Sequence, residues 1–382
     1  MTKKELNKKI ELLLQSYRDV EDYFIELIGR QIQTIGELNQ SSINRYVIMT
    51  EMNNNIADIN ARLAKAANRT VVDMRTLYYQ ALQDQYTDQR FARALEDKPL
   101  SYDTRQRLEQ YTEAICRQTS GNLYNLSNST VVSDVYIKTV DKAILAVSSG
   151  LGDYKSALRQ TIINLGGNGI QVQYQSGYHR RLDSAARQNI VDGAHQIEQH
   201  ASDMMGEALG FDAVELSAHL NSAPDHEPVQ GRVFLKKEFD YMQAGLGCKD
   251  IDGHSYAGFA RPIGEWNCMH MAMAFSTKYS KRRYTDQQLN DWKTSNNNGA
   301  VIEGKQMTLY QVDQLMRRIE TQVRREKDVA VAAKAAGDTQ LRRDCQKRIN
   351  RLAERYRRIS NDSGLPQRKD RMKVEGFRMV KV

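Results

Sequence analysis

Proline is nearly missing from this chain, with 5 in 382 residues, and cysteine is scarcer, with 4. So little proline leaves long helices uninterrupted. The four scattered cysteines (Cys116, Cys248, Cys268 and Cys345) argue against a disulfide framework and fit a reducing compartment. No run of about 18 apolar residues occurs, which excludes a membrane-spanning helix. Met1–Lys9 is lysine-rich but leads into an amphipathic pattern, so no secretory signal is expected. Catalytic fingerprints are missing too. There is no Walker loop, no Gly-x-Gly-x-x-Gly after a strand, no Gly-x-Ser-x-Gly elbow and no His-Glu-x-x-His. A mean hydropathy of −0.65 is polar for a globular protein and suits long surface helices.

What the chain does have is helical periodicity. Leu6, Ile10, Leu13, Tyr17, Val20, Phe24 and Leu27 follow one another at alternating spacings of four and three, which draws a narrow stripe along a helix. That stripe fits one helix of a bundle, with an intermolecular coiled coil as the alternative. Asn39–Ser42 reads as a break and a new cap. Helices are expected over about 42–86, 101–119, 131–149 and 153–165, the last stopped by Gly166–Gly169. Ile170–Tyr174 alternates like a strand, and a long helix follows from Arg180 to Leu209. His195 and His200 on that helix are five residues apart, so they do not share a face as a metal pair would.

From Phe211 to Phe275 the period changes to two and glycines cluster, so short strands and loops are expected there. Beyond it, Leu309, Val312, Met316, Ile319 and Val323 open a helix. Leu341, Cys345, Ile349, Leu352, Tyr356 and Ile359 continue on a second helix after a turn at Ala335–Thr339, with Gly337 as the stop. The fold class is therefore mainly α with a small α+β central domain. Three units are expected: a helical domain over 1–150, the α+β domain over 151–280 and a basic helical arm over 281–382.

Charge is uneven. Lys305–Val382 holds 21 Lys+Arg against 10 Asp+Glu, whereas the rest holds 34 against 37. An acidic partner is expected for that arm, and Arg317, Arg318, Arg324, Arg325, Arg342, Arg343, Arg357 and Arg358 are its candidate contacts. A solvated helix face is the plain alternative.

Four of seven histidines, two of four cysteines and one of two tryptophans gather between Val214 and His270. A hydrolase or nuclease site built from His219, Asp225, His226 and His270 is one reading, although no spacing there demands it. Structural zinc on His226, Cys268 and His270 is another, but the tight Cys-x-x-Cys knuckle is absent. The third is architectural: His219, Gln230, Gly231, Trp266 and Asn267 lock a loop-rich fold through hydrogen bonds. The architectural reading is preferred, with no cofactor expected.

Val214, Ser217, Ala218 and His219, then His226, Gln230, Gly231, Val233 and Phe234, then Trp266, Asn267, Cys268 and His270 carry a resemblance. In these residues the chain resembles the bacteriophage minor capsid protein 2 family, whose role is similar to that of the Mu F-like head morphogenesis proteins. The resemblance covers about residues 130–375, including Tyr284–Thr285 and the Ala335–Asp338 turn. Glu265 departs from the glycine usual before the tryptophan, and the stretch from Gly245 to Gly264 is an insert. The resemblance implies a low-copy structural protein of the phage head, without enzymatic activity. It implies portal protein, other capsid proteins and packaged DNA as partners. The location implied is the virion, with the host cytoplasm during assembly. The Mu F-like relatives carry Cys/His pairs at the two ends of this stretch, which is what keeps zinc in view.

Overall fold

Helices with one apolar stripe must bury it, and the cheapest way is against each other. The computed structural model describes residues 3–37, 45–148, 154–258, 262–263 and 270–381. The N-terminal stripe lies on α1 (Lys3–Leu13) and α2 (Gln15–Glu37). Three helices come next, α3 (Arg45–Tyr86), α4 (Gln89–Asp97) and α5 (Tyr102–Asn128). They lead into α6 (Val132–Ser148) and α7 (Tyr154–Asn168). The hairpin β1 (Gln171–Gln173) and β2 (His179–Arg181) leads into α8 (Leu182–Ala208). The expected mainly helical fold with a small α+β part is what forms.

Side-chain caps mark several starts. The Ser101 hydroxyl accepts from the Thr104 N–H at 3.1 Å, and Asp88 accepts from the Arg90 N–H at 2.9 Å. Helix α5 outruns its expected end at 119. Gly121 does not end it, because Leu123 and Leu126 extend the stripe and are buried. Their burial outweighs the roughly 1 kcal/mol that glycine costs a helix interior. The break expected at Asn39–Ser42 lies outside the described residues.

Beyond α8 come β3 (Ala213–Leu216), β4 (Val233–Leu235), α9 (Lys236–Gln243), the pair β5 (Cys248–Lys249) and β6 (Ser255–Tyr256), and β7 (Ala272–Phe275). Then follow α10 (Asp286–Asn298), the hairpin β8 (Ala300–Ile302) and β9 (Lys305–Met307), α11 (Leu309–Ala335) and α12 (Thr339–Ser363). One antiparallel sheet has the order β4-β3-β7, with Val214 opposite both Phe234 and Ala274. All residues of β3 and β7 are buried, so both faces of that sheet are covered. The outer edge of β7 is closed by side chains. The Ala272 N–H donates to Gln199 Oε1 at 3.0 Å and the Ala274 N–H to Ser202 Oγ at 2.8 Å, both on α8. Capped amides cannot recruit another strand.

The N-terminal stripe is spent inside the chain. Ile10, Tyr17 and Phe24 join one core with Ile59 and Tyr78 of α3, Ile190 of α8 and Val329–Ala333 of α11. Gly29 sets how close α11 comes to α2. A Cβ there would lie 2.6 Å from the Ala335 Cβ and 2.7 Å from the Ala332 carbonyl oxygen. The first half of α11 packs separately on α12, through Val312, Met316 and Ile319 against Ile349, Tyr356 and Ile359. The basic hairpin thus exists, with Asp338 capping α12 through the Leu341 N–H at 2.8 Å. It is docked along α2 and α7, and both apolar stripes are used up in packing.

A buried ion network fastens the same junction. Arg181 at the end of β2 donates to Asp328 of α11 at 2.9 Å and also grips Glu21 of α2. Arg324 donates to Asp183 of α8 at 2.7 Å. Burial pushes Asp183 up, but Arg324, Arg181 and Arg18 together hold it well below the usual carboxylate range. Among the described residues no helix is long and apolar enough to cross a membrane.

Candidate functional site

The histidine cluster grows from the end of β3. After Leu216 the chain leaves the sheet, and the Ser217 hydroxyl accepts from the Met271 N–H at 2.8 Å, which keeps the two departing strands together. A turn at 223–230, closed by the His226 and Glu227 N–H groups donating to the Ala223 carbonyl, brings the chain back. Gly231 makes the re-entry, with φ at +68° and the Leu289 side chain 2.6 Å from where a Cβ would sit. Both facts exclude larger residues at this position. Its N–H donates to the Leu216 carbonyl at 3.1 Å, which restarts the ladder.

That loop collects three imidazoles. His219 stacks on His270 with ring centroids 4.5 Å apart, and His226 meets the edge of His270 at 5.5 Å. Gln230 ties them together. Its Oε1 accepts from the His219 backbone N–H at 3.1 Å and lies 3.4 Å from His270 Nε2. An amide oxygen only accepts, so the second contact requires the proton of His270 on Nε2. Ser222 Oγ also reaches that nitrogen, at 3.3 Å. Sequence reasoning overlooked Ser222, whose one signal is its place between His219 and His226. His226 and His270 are buried, 0% and 4% exposed. Trp266, Asn267 and Cys268 lie outside the described residues. His200 stacks on Tyr111 at 3.5 Å, a packing role.

A family model described as phage minor capsid protein 2 matches residues 1–359. The chain belongs to this family. The match starts at the first residue and so takes in the N-terminal third, which the resemblance over about 130–375 does not reach. Membership in the minor capsid family makes the protein a structural component of a phage particle, found in the virion with other virion proteins as partners. Comparison with the curated proteins and with solved structures returns no match.

In this minor capsid protein the candidate arginines divide into two groups. Arg324 is committed to Asp183 inside the ion network. Arg317 pairs with Asp313 at 2.9 Å, and Arg342 donates to the Arg378 carbonyl at 3.1 Å. Arg318, Arg325, Arg343, Arg357 and Arg358 are exposed and form no ion pair among the described residues. Sequence alone did not separate them, because only the partner decides whether an arginine is spent.

Among the described residues, only Asp250, Asp252 and His254 bring three donor atoms within reach of one ion. Asp250 is already occupied. It accepts from the Tyr256 hydroxyl at 2.8 Å, from the His254 N–H at 2.9 Å and from His254 Nδ1 at 2.9 Å. Those bonds close the loop between β5 and β6. His219, His226 and His270 do not converge in that way, and Cys268, the third residue of the zinc expectation, lies outside the described residues.

Proposed function

We propose that this protein is a non-enzymatic structural part of the phage head that docks at the portal vertex and contacts packaged DNA. Family membership supports the structural role. The DNA contact rests on one observation, the exposed face of α12. Arg343, Lys347, Arg351 and Arg358 recur there at spacings of four and seven, with Arg357 beside them. Helical rise spreads them over roughly 22 Å. A row of unpaired cations binds a phosphate backbone without regard to sequence. Both apolar stripes are buried within the chain, so contact with the portal falls to polar surface.

In this reading the histidine cluster is a lock and holds no metal. Burial of His226 and His270 argues against a hydrolase or nuclease, whose acid–base groups must reach substrate. Purified protein with near-zero zinc supports the lock. One zinc per chain that is lost on His226→Asn and kept on His254→Asn overturns that part and assigns His226 and His270, with Cys268, as ligands.

The assembly role is tested by co-sedimentation with portal protein and by DNA binding across salt concentration. Four phosphate contacts give a slope of about −3.6 in log K against log salt. Changing Arg343, Arg351, Arg357 and Arg358 to Gln together flattens it. No DNA binding at low salt and no co-sedimentation with portal or procapsid overturns the proposal.

A further inference from the structure

A cavity of about 230 Å³ opens where α1, α2, α8, α11 and the 3-10 turn Lys369–Met372 meet. Its wall carries five arginines, Arg18, Arg187, Arg317, Arg324 and Arg371, against three carboxylates, Glu11, Asp183 and Glu320, an excess of two positive charges. Those carboxylates are already engaged, two of them by wall arginines. Glu11 holds Arg18 and Arg187. Asp183 holds Arg324 at 2.7 Å. Glu320 holds Arg368 at 2.7 Å and the Tyr356 hydroxyl at 2.7 Å, and comes no nearer to Arg371 than 3.7 Å.

The excess is felt by the arginines themselves. Burial pulls Arg187 below its usual range, and Arg18 and Arg317 push the same way. Burial pulls Arg371 down too, with Arg368, Arg187 and Arg317 adding to it. Two donors on the wall also lack acceptors. The Nε–H groups of Arg18 and Arg324 are shut off from solvent without a hydrogen bond. The first turn of α8 contributes Asp183 and Ser184 to the wall, and that 27-residue helix has Arg181 at its N-cap position, with no side-chain cap. A helix start carries partial positive charge and favours anions.

We propose that this cavity binds a tetrahedral oxyanion of the phosphate class. Arg187, Arg317 and Arg371 grip it, Arg317 sharing itself with Asp313 at 2.9 Å, and the Ser184 hydroxyl turns to it from Asp183 Oδ1 at 3.3 Å. Guanidinium groups pair two-pronged with phosphate oxygens, and a bound dianion cancels the excess charge that water leaves in place. Free phosphate and the terminal phosphate of a nucleic acid strand offer the same chemistry. The proposal does not depend on the portal or DNA reading.

Calorimetric titration of the full chain with inorganic phosphate, at fixed ionic strength in chloride, tests it. Saturable binding is expected at one phosphate per chain, with a rise in melting temperature that chloride does not reproduce. Arg371→Gln removes the arginine with the longest ion pair and is expected to weaken binding about tenfold, the worth of one charge-assisted hydrogen bond. Arg187→Gln provides a second variant and is expected to do the same. Arg62→Gln, in the exposed pair with Asp58 on α3, leaves binding unchanged. A dinucleotide with a 5′-phosphate that binds more tightly than inorganic phosphate assigns the site to a strand end, and equal or weaker binding assigns it to the free ion. No saturable binding, or binding that survives both arginine changes, overturns the proposal.

Discussion

Arg181→Met is the sharpest test of how the helices are held together. Arg181 pairs with Asp328 and Glu21, with Asp183 at 3.9 Å. Its loss falls unequally on the three carboxylates. Asp183 keeps Arg324 at 2.7 Å, and Glu21 keeps Arg324 at 3.8 Å and the Ile170 N–H at 2.9 Å. Asp328, 1% exposed, loses the one ion pair it makes among the described residues. Stripping the partner from a buried charge costs about 3–5 kcal/mol. Burial already pushes Asp328 up to about 7, against the pull of Arg181. The folded state therefore holds this proton more tightly than the unfolded chain, and stability is lost as pH rises through that value. Without Arg181 the value climbs further, so the carboxyl takes a proton and the penalty shrinks in acid. Urea unfolding followed by circular dichroism should show a loss of about 3–5 kcal/mol at pH 8 and less than half of it at pH 5. Adding Asp328→Asn should restore much of the loss at pH 8. A loss below about 1 kcal/mol at pH 8, or one equal at both pH values, refutes the reasoning.

Glu198 on α8 is pushed up by burial from 4.5 to about 7. It destabilises the fold increasingly as pH rises from its ordinary value to the raised one. Glu198→Gln should therefore gain about 3 kcal/mol at pH 8 and almost nothing at pH 4, as read by denaturant midpoints. An equal gain at both would exclude burial as the cause. Gln230→Ala leaves the His219 N–H without its acceptor and should cost about 1–3 kcal/mol in urea unfolding. Gly231→Ala forces a side chain into left-handed backbone and onto Leu289, and should cost about 1–3 kcal/mol, visible as a lower melting temperature. A melting temperature unchanged by Gly231→Ala would mean that the re-entry turn can shift.

Helix boundaries were legible wherever capping and periodicity agreed. Ser101, Thr285 and Asp338 all serve as caps, and the inward face of α8 carries Leu182, Ala186 and Ile190 as its spacing requires. Short α4 and α9 escaped notice because eight or nine residues give periodicity little to work on. The histidine signature was visible as a motif, but the central place of Gln230 depends on a loop geometry that no spacing encodes. The basic arm misled in one respect. Arg324 looks like its exposed neighbours, and only a carboxylate 141 residues away spends it. Val329–Ala333 carried a signal that went unread: five apolar residues in a row on a helix call for burial all round.

That run has a consequence for how the molecule is made. The face of α2 around Gly29 emerges early from the ribosome, but the segment that covers it lies about 300 residues later. At about 5–20 residues per second the delay is roughly 15–60 s. Throughout it the α2 face waits with an open apolar side, and every chain ended before α11 keeps that side open. Synthesis of α11 is therefore also the moment of closure. A copy that includes α11 buries that apolar face, and a fragment that ends before it does not.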